Sequence, residues 1–432
     1  MHIFIDPLSK EKCRINPCLF RSFRGLFFLT LPVGYVIFMA NCLRCKSPAC
    51  IRIKQETIVD TEWIRLAELD EDGKASAIVR AGQIIREGGL VAFPTETVYG
   101  LGADALNEEA AARIYQAKGR PSDNPLIAHI WNVDQVDQLA LRISPDVRKM
   151  MDVFWPGPLT IILPKKDTVP DGTTGGLPTV AIRMPSHPVA MELIRRSGCP
   201  IAAPSANVSG RPSPTRADHV YEDMKGRIPM ILDGGPVDIG IESTIVDMSR
   251  DRPLILRPGH IRREELEEVL SREVPLDPAI AGREPSKNVV ARAPGMKYRH
   301  YAPKADMTLV EGPEEDVISA INDLAAQKMS SGCRVGVIAT EETRDRYRAD
   351  VVRVIGSRSH PESVAAGLYK ILREFDSLSC DAIYSESFFE SGMFEAVMNR
   401  MLKAAGYHIM TVGKRADNRS AGSHGQTWEE IS

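Results

Sequence analysis

The sequence predicts an α/β protein: an open twisted-sheet domain, then a linker, then a smaller Rossmann-like α/β domain. Three observations carry this reading. From about residue 58, short apolar runs of strand length alternate with amphipathic helical stretches. A proline-rich stretch with neither periodicity interrupts them over residues 272–305, and the alternation then resumes to about residue 414. The 432 residues suit two or three domains at roughly 100–200 residues each. With 43% hydrophobic and 26% charged residues, such a chain can bury a core without disulfides. The net charge of -3 gives no global pull toward nucleic acid or membrane, so any polyanion site must be local.

The expected organisation is an atypical extension over residues 1–57, the larger domain over 58–271, the linker over 272–305, the smaller domain over 306–414 and a polar tail over 415–432. The extension is basic and contains an apolar run, Leu26 to Ala40. The run is short for a membrane helix, which needs about 20 apolar residues, and it contains Pro32 and Gly34. A basic flank before it suits a targeting peptide, although Asn41-Cys42 makes a poor processing site. The third reading starts the natural protein at Met39. Five of the eight cysteines crowd this extension, and Cys42, Cys45 and Cys50 lack a second zinc-ligand pair. The other three, Cys199, Cys333 and Cys380, are scattered, which reads as reduced thiols in a cytoplasmic protein.

In the larger domain, Ala75–Glu87 is helical and stops at Gly88-Gly89. Leu90–Phe93 is a buried strand. Asn107 caps a helix with Glu108 and Glu109 in its first turn, and Lys118-Gly119 ends it. Further strands are expected at Leu126–Ile130, Leu159–Leu163, Val180–Met184, Ile201–Ala203, Met230–Leu232, Thr244–Val246 and Leu254–Leu256. Helices are expected at Pro145–Phe154, Pro188–Arg196, Arg216–Met224 and Arg263–Leu270. In the smaller domain, Met307–Val310, Val335–Ile338, Val351–Ile355 and Asp381–Tyr384 read as strands. Helices alternate with them at Glu314–Met329, Pro361–Glu374 and Met393–Ala405.

No P-loop, G-x-S-x-G elbow or H-E-x-x-H motif occurs. Polar residues instead gather just after apolar strands, where open α/β sheets bind ligands. Pro94-Thr95-Glu96-Thr97-Val98-Tyr99-Gly100-Leu101-Gly102 reads as either a binding turn or a turn whose threonines bond their own backbone. Lys118 and Arg120, with Asn124 nearby, read as a phosphate clamp or as cations neutralising a helix end. Ser205, Asn207, Ser209, Gly210 and Ser213 form either an anion-binding nest or a polar loop. Arg183 lies in an apolar strand and needs an anionic partner, from a ligand or from the protein. His129 reads as a satisfied core histidine or a catalytic base, with protonation responsive near neutral pH. Jointly these residues favour a nucleotide enzyme acting on a small carboxylate.

Taken together, FPTETVYGLGADA, KGRPSDNPLIAH, FWPGPLT, TVAIRMP, APSANVSGRPSPT, IESTIVD and LRPG resemble the YrdC family of threonylcarbamoyl-AMP synthases over about residues 65–272. The linker KYRHYAP and the later AVMNRMLKAA resemble its long, two-domain form. The resemblance implies a YrdC-like catalytic fold and a nucleotidyltransferase reaction: L-threonine, bicarbonate and ATP give threonylcarbamoyl-AMP and pyrophosphate. The product would feed threonylcarbamoyladenosine formation beside the tRNA anticodon, through a TsaD-type transferase complex. It implies that Thr97, His129, Arg183, Ala203 and Ser243 hold threonine. Arg120, Asn124, Thr179, Ser205, Asn207, Ser213, Arg257 and Tyr301 would surround ATP, with Tyr301 as a lid. Lys118 and Arg120 would be catalytic. Mg2+ would bridge the phosphates without a dedicated protein metal site. Contact with tRNA would be weak or indirect, and no membrane is expected.

Two other classes stay open on the residues. Lys118, Arg120, Arg183 and Arg211 could make a basic RNA-binding face in a ribosome-associated module. A carbamoyl transferase of the hydrogenase-maturation type would share the domain, but its acylphosphatase-like and zinc-finger regions are not found. Threonine-dependent ATP turnover separates these readings.

Overall fold

The computed structural model describes residues 59–282, 291–294, 296, 301–388 and 392–413, and the backbone of three strands nearer the N-terminus. The chain divides into two compact units, Met1–Val59 and Asp60–Ser432. In the first, Phe27–Thr30, Tyr35–Met39 and Arg52–Gln55 form an antiparallel sheet in that order. The apolar run of the extension thus contains two of these strands. The targeting and start-site readings of residues 1–57 lie outside the described residues, as does the tail from 414. No helix among the described residues is long and apolar enough to cross a membrane.

The second unit contains two sheets. Ten strands form the larger one, in the order Leu254–Arg257, Thr244–Asp247, Leu159–Pro164, Thr179–Arg183, Ile127–His129, Ile201–Ala202, Gly100–Asp104, Val91–Phe93, Met230–Asp233 and Glu62–Arg65. Parallel and antiparallel pairs mix along it. Helices cover both faces, as the alternating pattern predicts. Glu108–Lys118 shows why the local signals work. The Asn107 side chain accepts from the Glu109 and Ala110 amides at 3.0 and 3.1 Å, and Gly119 closes the helix at φ 62°.

Two strands of this sheet are missing from the sequence expectations. Gly100–Asp104 reads as a turn because glycines weaken the strand pattern. Its glycine is nevertheless required for packing: a Cβ on Gly102 would lie 2.7 Å from Phe93 and 2.8 Å from Ile201. Glu62–Arg65 is an edge strand with exposed ends, too short and polar to show periodicity.

The smaller sheet is wholly parallel, in the order Val351–Val354, Val335–Ala339, Ala382–Glu386, Asp306–Glu311 and Ile409–Thr411. The last strand, three edge residues, is also absent from the expectations. Between the sheets the chain is less irregular than expected, since Pro278–Ala281 is a short helix. Arg292 pairs with Asp247 at 3.0 Å and with Asp277, and Ala293 and Met296 pack with Ile162, Ile245 and Leu256. This part of the linker is therefore bound to the larger sheet.

The two domains share an apolar seam. Val98 and Ile241 of the larger domain pack with Tyr301, Val364, Ala365, Leu368 and Tyr369. Gly240 makes the closest approach: at φ 79°, any Cβ would lie 2.5 Å from the Ala366 Cα.

Candidate active site

Strand ends of the larger sheet open into one cleft. The turn after Val91–Phe93, the last residues of Ile127–His129 and Thr179–Arg183, and the loop after Ile201–Ala202 all contribute to its wall. Thr97, Lys118, Arg120, His129, Arg183, Ala203, Ser205, Asn207, Ser213, Ser243, Arg257 and Tyr301 line it together. Of the sequence-predicted residues, Asn124 and Thr179 are outside this lining. Asn124 is 1% exposed, and its Oδ1 has no hydrogen-bond partner.

The threonine-rich turn serves both purposes open to it. Thr95 Oγ1 donates to the Val98 carbonyl at 2.7 Å and accepts from the Thr97 and Val98 amides. Thr97 Oγ1 instead accepts from Arg183 Nη1 at 3.0 Å. Arg183 also donates through Nε to the Gly157 carbonyl at 3.3 Å. The anionic partner its burial demands comes from the protein, because Glu96 Oε1 lies 2.6 Å from Nη2. The two buried charges are in direct contact as an ion pair. Burial, the largest single influence, raises the Glu96 carboxyl, but the Arg183 charge together with hydrogen bonding from Arg183 and the backbone brings the net effect to a lowering.

His129 does not titrate near neutrality, contrary to the sequence expectation. It is 3% exposed, and burial, reinforced by Arg183, lowers it to about 3. Its Nδ1 lies 3.0 Å from the Ile127 carbonyl, which can only accept, so Nδ1 carries the proton of a neutral ring.

Lys118 departs from a simple phosphate clamp. Its ammonium donates to the carbonyls of Ser205 and, at 2.5 Å, Asn207. It is 1% exposed, and burial, then Arg120, lowers it well below an ordinary lysine. Lys118 therefore fastens the 205–207 loop. Arg120 is held by the Asn124 and Pro125 carbonyls at 3.3 and 3.1 Å.

Several backbone amides of the loop are engaged within the protein. The Ala206 amide donates to Tyr99, Val208 to Asp223, and Ser209 to Lys118. Its polar surface is instead side-chain hydroxyl and amide. Ser205 Oγ donates to Asn207 Oδ1 at 2.5 Å, and Ser213 Oγ donates to Glu242 Oε1 at 2.6 Å.

Arg257 donates to the Ser243 carbonyl at 3.0 Å, to Ser243 Oγ at 3.1 Å and to the Pro294 carbonyl at 3.4 Å. Tyr301 is buried with φ 64°, its ring centroid 5.1 Å from that of Tyr369. The basic-face reading loses two of its four cations. Arg211 is paired with Asp223 and lies 3.2 Å from Glu222, and Arg183 is paired with Glu96.

Sequence reasoning gave no role to Glu96, Glu242, Tyr369, Arg373 or Arg400. A usable signal existed for Arg400, since it sits in an apolar helical run and invites the same question as Arg183.

The chain matches two family models. One, described as "Telomere recombination", covers residues 83–259, and the other, described as "Threonylcarbamoyl-AMP synthase, C-terminal domain", covers residues 261–406. A threonylcarbamoyl-AMP synthase of Pyrococcus abyssi is 50% identical over 77% of this chain and 95% of its own length. One of Bacillus subtilis is 49% identical over 77% of this chain and 94% of its own. The crystal structure of P. abyssi Sua5 complexed with L-threonine superposes with a TM-score of 0.75 at 48% identity, covering 82% of this chain and 99% of that one. This chain belongs to the two-domain threonylcarbamoyl-AMP synthases.

Proposed function

We propose that the chain condenses L-threonine, bicarbonate and ATP to threonylcarbamoyl-AMP and pyrophosphate. One observation carries the assignment of the site: groups suited to an amino acid and groups suited to a polyphosphate meet in one cleft although they come from distant segments. At the amino-acid end, Arg183 pairs with the threonine carboxylate while Glu96, 2.6 Å away, fixes the guanidinium. Thr97, neutral His129, Ala203 and Ser243 complete that end. Arg120, Ser205, Asn207, Ser213 and Arg257 surround the nucleotide, with Tyr301 closing over it. Thr179 meets those parts of the nucleotide that extend past the cleft wall, and the buried Asn124 acts through its carbonyl, which holds Arg120. Lys118 acts chiefly by fixing the loop that carries Ser205 and Asn207.

In this reading the threonine amine first takes up bicarbonate carbon, forming an N–C bond with loss of water. The resulting carbamate oxygen attacks the α-phosphorus, and the bond to pyrophosphate breaks. Orientation and positive charge suffice for this, and no covalent side-chain nucleophile is needed. Mg2+ would accompany the nucleotide. When bound, it would spread the polyphosphate charge. The product passes to a TsaD-type transferase complex that modifies tRNA in the cytoplasm.

The test is incubation with ATP, bicarbonate and each amino acid in turn. Pyrophosphate release that requires threonine is expected, and release indifferent to the amino acid refutes the reading. Arg120→Ala should lower turnover while the unfolding transition stays unchanged.

A further inference from the structure

Glu242 lines the cleft, yet the residue is 6% exposed and its carboxylate is held largely from the smaller domain. The Tyr369 hydroxyl lies 2.9 and 2.8 Å from its two oxygens. Arg400, fully buried, donates from Nε to Oε2 at 3.2 Å and from Nη2 to the Glu242 carbonyl at 3.3 Å. The same guanidinium also donates to the Pro258 carbonyl. From the larger domain, Ser213 donates to Oε1 at 2.6 Å, and Ser243 follows in sequence with its hydroxyl on Arg257.

We infer that Arg400 and Tyr369 are positioning residues of the cleft: they hold the Glu242 carboxylate and, through it, the Ser213 hydroxyl and the Glu242-Ser243 turn. The inference rests on the functional reading above, in which Ser213 faces the nucleotide and Ser243 the threonine.

The physical case is an argument from burial. A carboxylate this enclosed is tolerated only with close cations and full hydrogen bonding. Arg400 and Tyr369 supply much of both, and neither belongs to the larger domain. The groups facing Glu242 are Arg400, Arg257, Ser213, Tyr369, Tyr301 and, farther off, Lys403. Burial raises the carboxyl, but Arg400 and then Arg257 outweigh it and bring it down to about 2. Glu242 is therefore ionised throughout the working range. Its contribution is present above the ordinary carboxylate range and lost only as pH falls toward about 2. Without Arg400, the burial effect remains and its largest counterweight is gone, so protonation moves toward neutral pH.

The experiment compares full-length Arg400→Met, Arg400→Lys, Tyr369→Phe, Glu242→Gln and the double variant Glu242→Gln/Arg400→Met. It measures kcat and KM for threonine-dependent pyrophosphate release from pH 5.5 to 9. Misplacement of cleft groups should cost Arg400→Met up to about 100-fold in kcat/KM. An acid limb absent from the wild type should appear in its profile. The double variant should be no worse than Arg400→Met alone, because a neutral amide needs no counter-charge. Tyr369→Phe, the variant least disruptive to folding, should raise the KM for ATP about tenfold, as expected for losing one hydrogen bond to a charged group. Arg400→Met and Glu242→Gln costs that simply add would overturn the inference. A fall in kcat alone, with unaltered KM and pH profile, would do so too, since it reports only a smaller folded fraction. If Arg400→Met does not fold, Arg400→Lys and Tyr369→Phe decide on the same readouts. A wild-type enzyme silent with threonine would refute the functional reading. The positioning inference is then judged on equilibrium ATP binding by wild type and Tyr369→Phe, where equal dissociation constants overturn it.

Discussion

The amino-acid end of the cleft and the seam beneath its nucleotide end are built in opposite ways. At the first, Thr97, Glu96, Arg183 and His129 lie on strands and turns of one sheet, and the larger domain supplies every charge. At the seam, Asp223, Glu242 and the Pro212 carbonyl are satisfied by Arg373, Tyr369 and Arg400 from the other domain. The charges of the first end are self-contained, and only its Ser243 turn is reached from the other domain. The second is complete only when the domains are packed together. Coupling between domains here is thus a matter of buried charge, and apolar packing alone would not produce it.

The seam predicts the largest effect. Arg373→Met leaves Asp223, whose side chain is fully buried, with its 2.8 Å ion pair removed. Breaking a buried pair in this way costs about 3–5 kcal/mol. Denaturant unfolding should show it, and a loss below about 1 kcal/mol would mean that Arg211 alone satisfies Asp223. Lys118→Met tests the cleft wall. It leaves two loop carbonyls without a donor and should cost about 1–3 kcal/mol, together with lost turnover. Unchanged stability with lost turnover would return Lys118 to a direct role on phosphate. The smallest effect is expected far from both regions. Glu192 pairs with Arg195 and Arg196 on an exposed helix face, so Glu192→Ala should leave the unfolding midpoint where it was. A measurable shift there would show that ion pairs matter wherever they occur, and the contrast between regions would dissolve.

The same contrast explains what could be read from the sequence. The amino-acid end was legible because its residues sit in short motifs after apolar strands, where local periodicity and turn chemistry identify them. Helices with good caps, such as Glu108–Lys118, were legible for the same reason. Gly100–Asp104 was hidden because its glycines answer to Phe93 and Ile201 across the sheet. The state of His129 was hidden because burial and Arg183 decide it. Glu242 with Arg400, and Asp223 with Arg373, were hidden more deeply, since each pairs residues about 150 positions apart with no local pattern announcing it.

Tyr369 and Arg373 lie one turn apart on the same helix, Pro361–Leu378. One reaches Glu242 and the other reaches Asp223 and the Pro212 carbonyl. The helix therefore works as a single lever with two teeth. It cannot slide or roll without dragging the Ser213 loop and the Ser243 turn at once, so the wall toward the nucleotide and the wall toward the threonine move in gear.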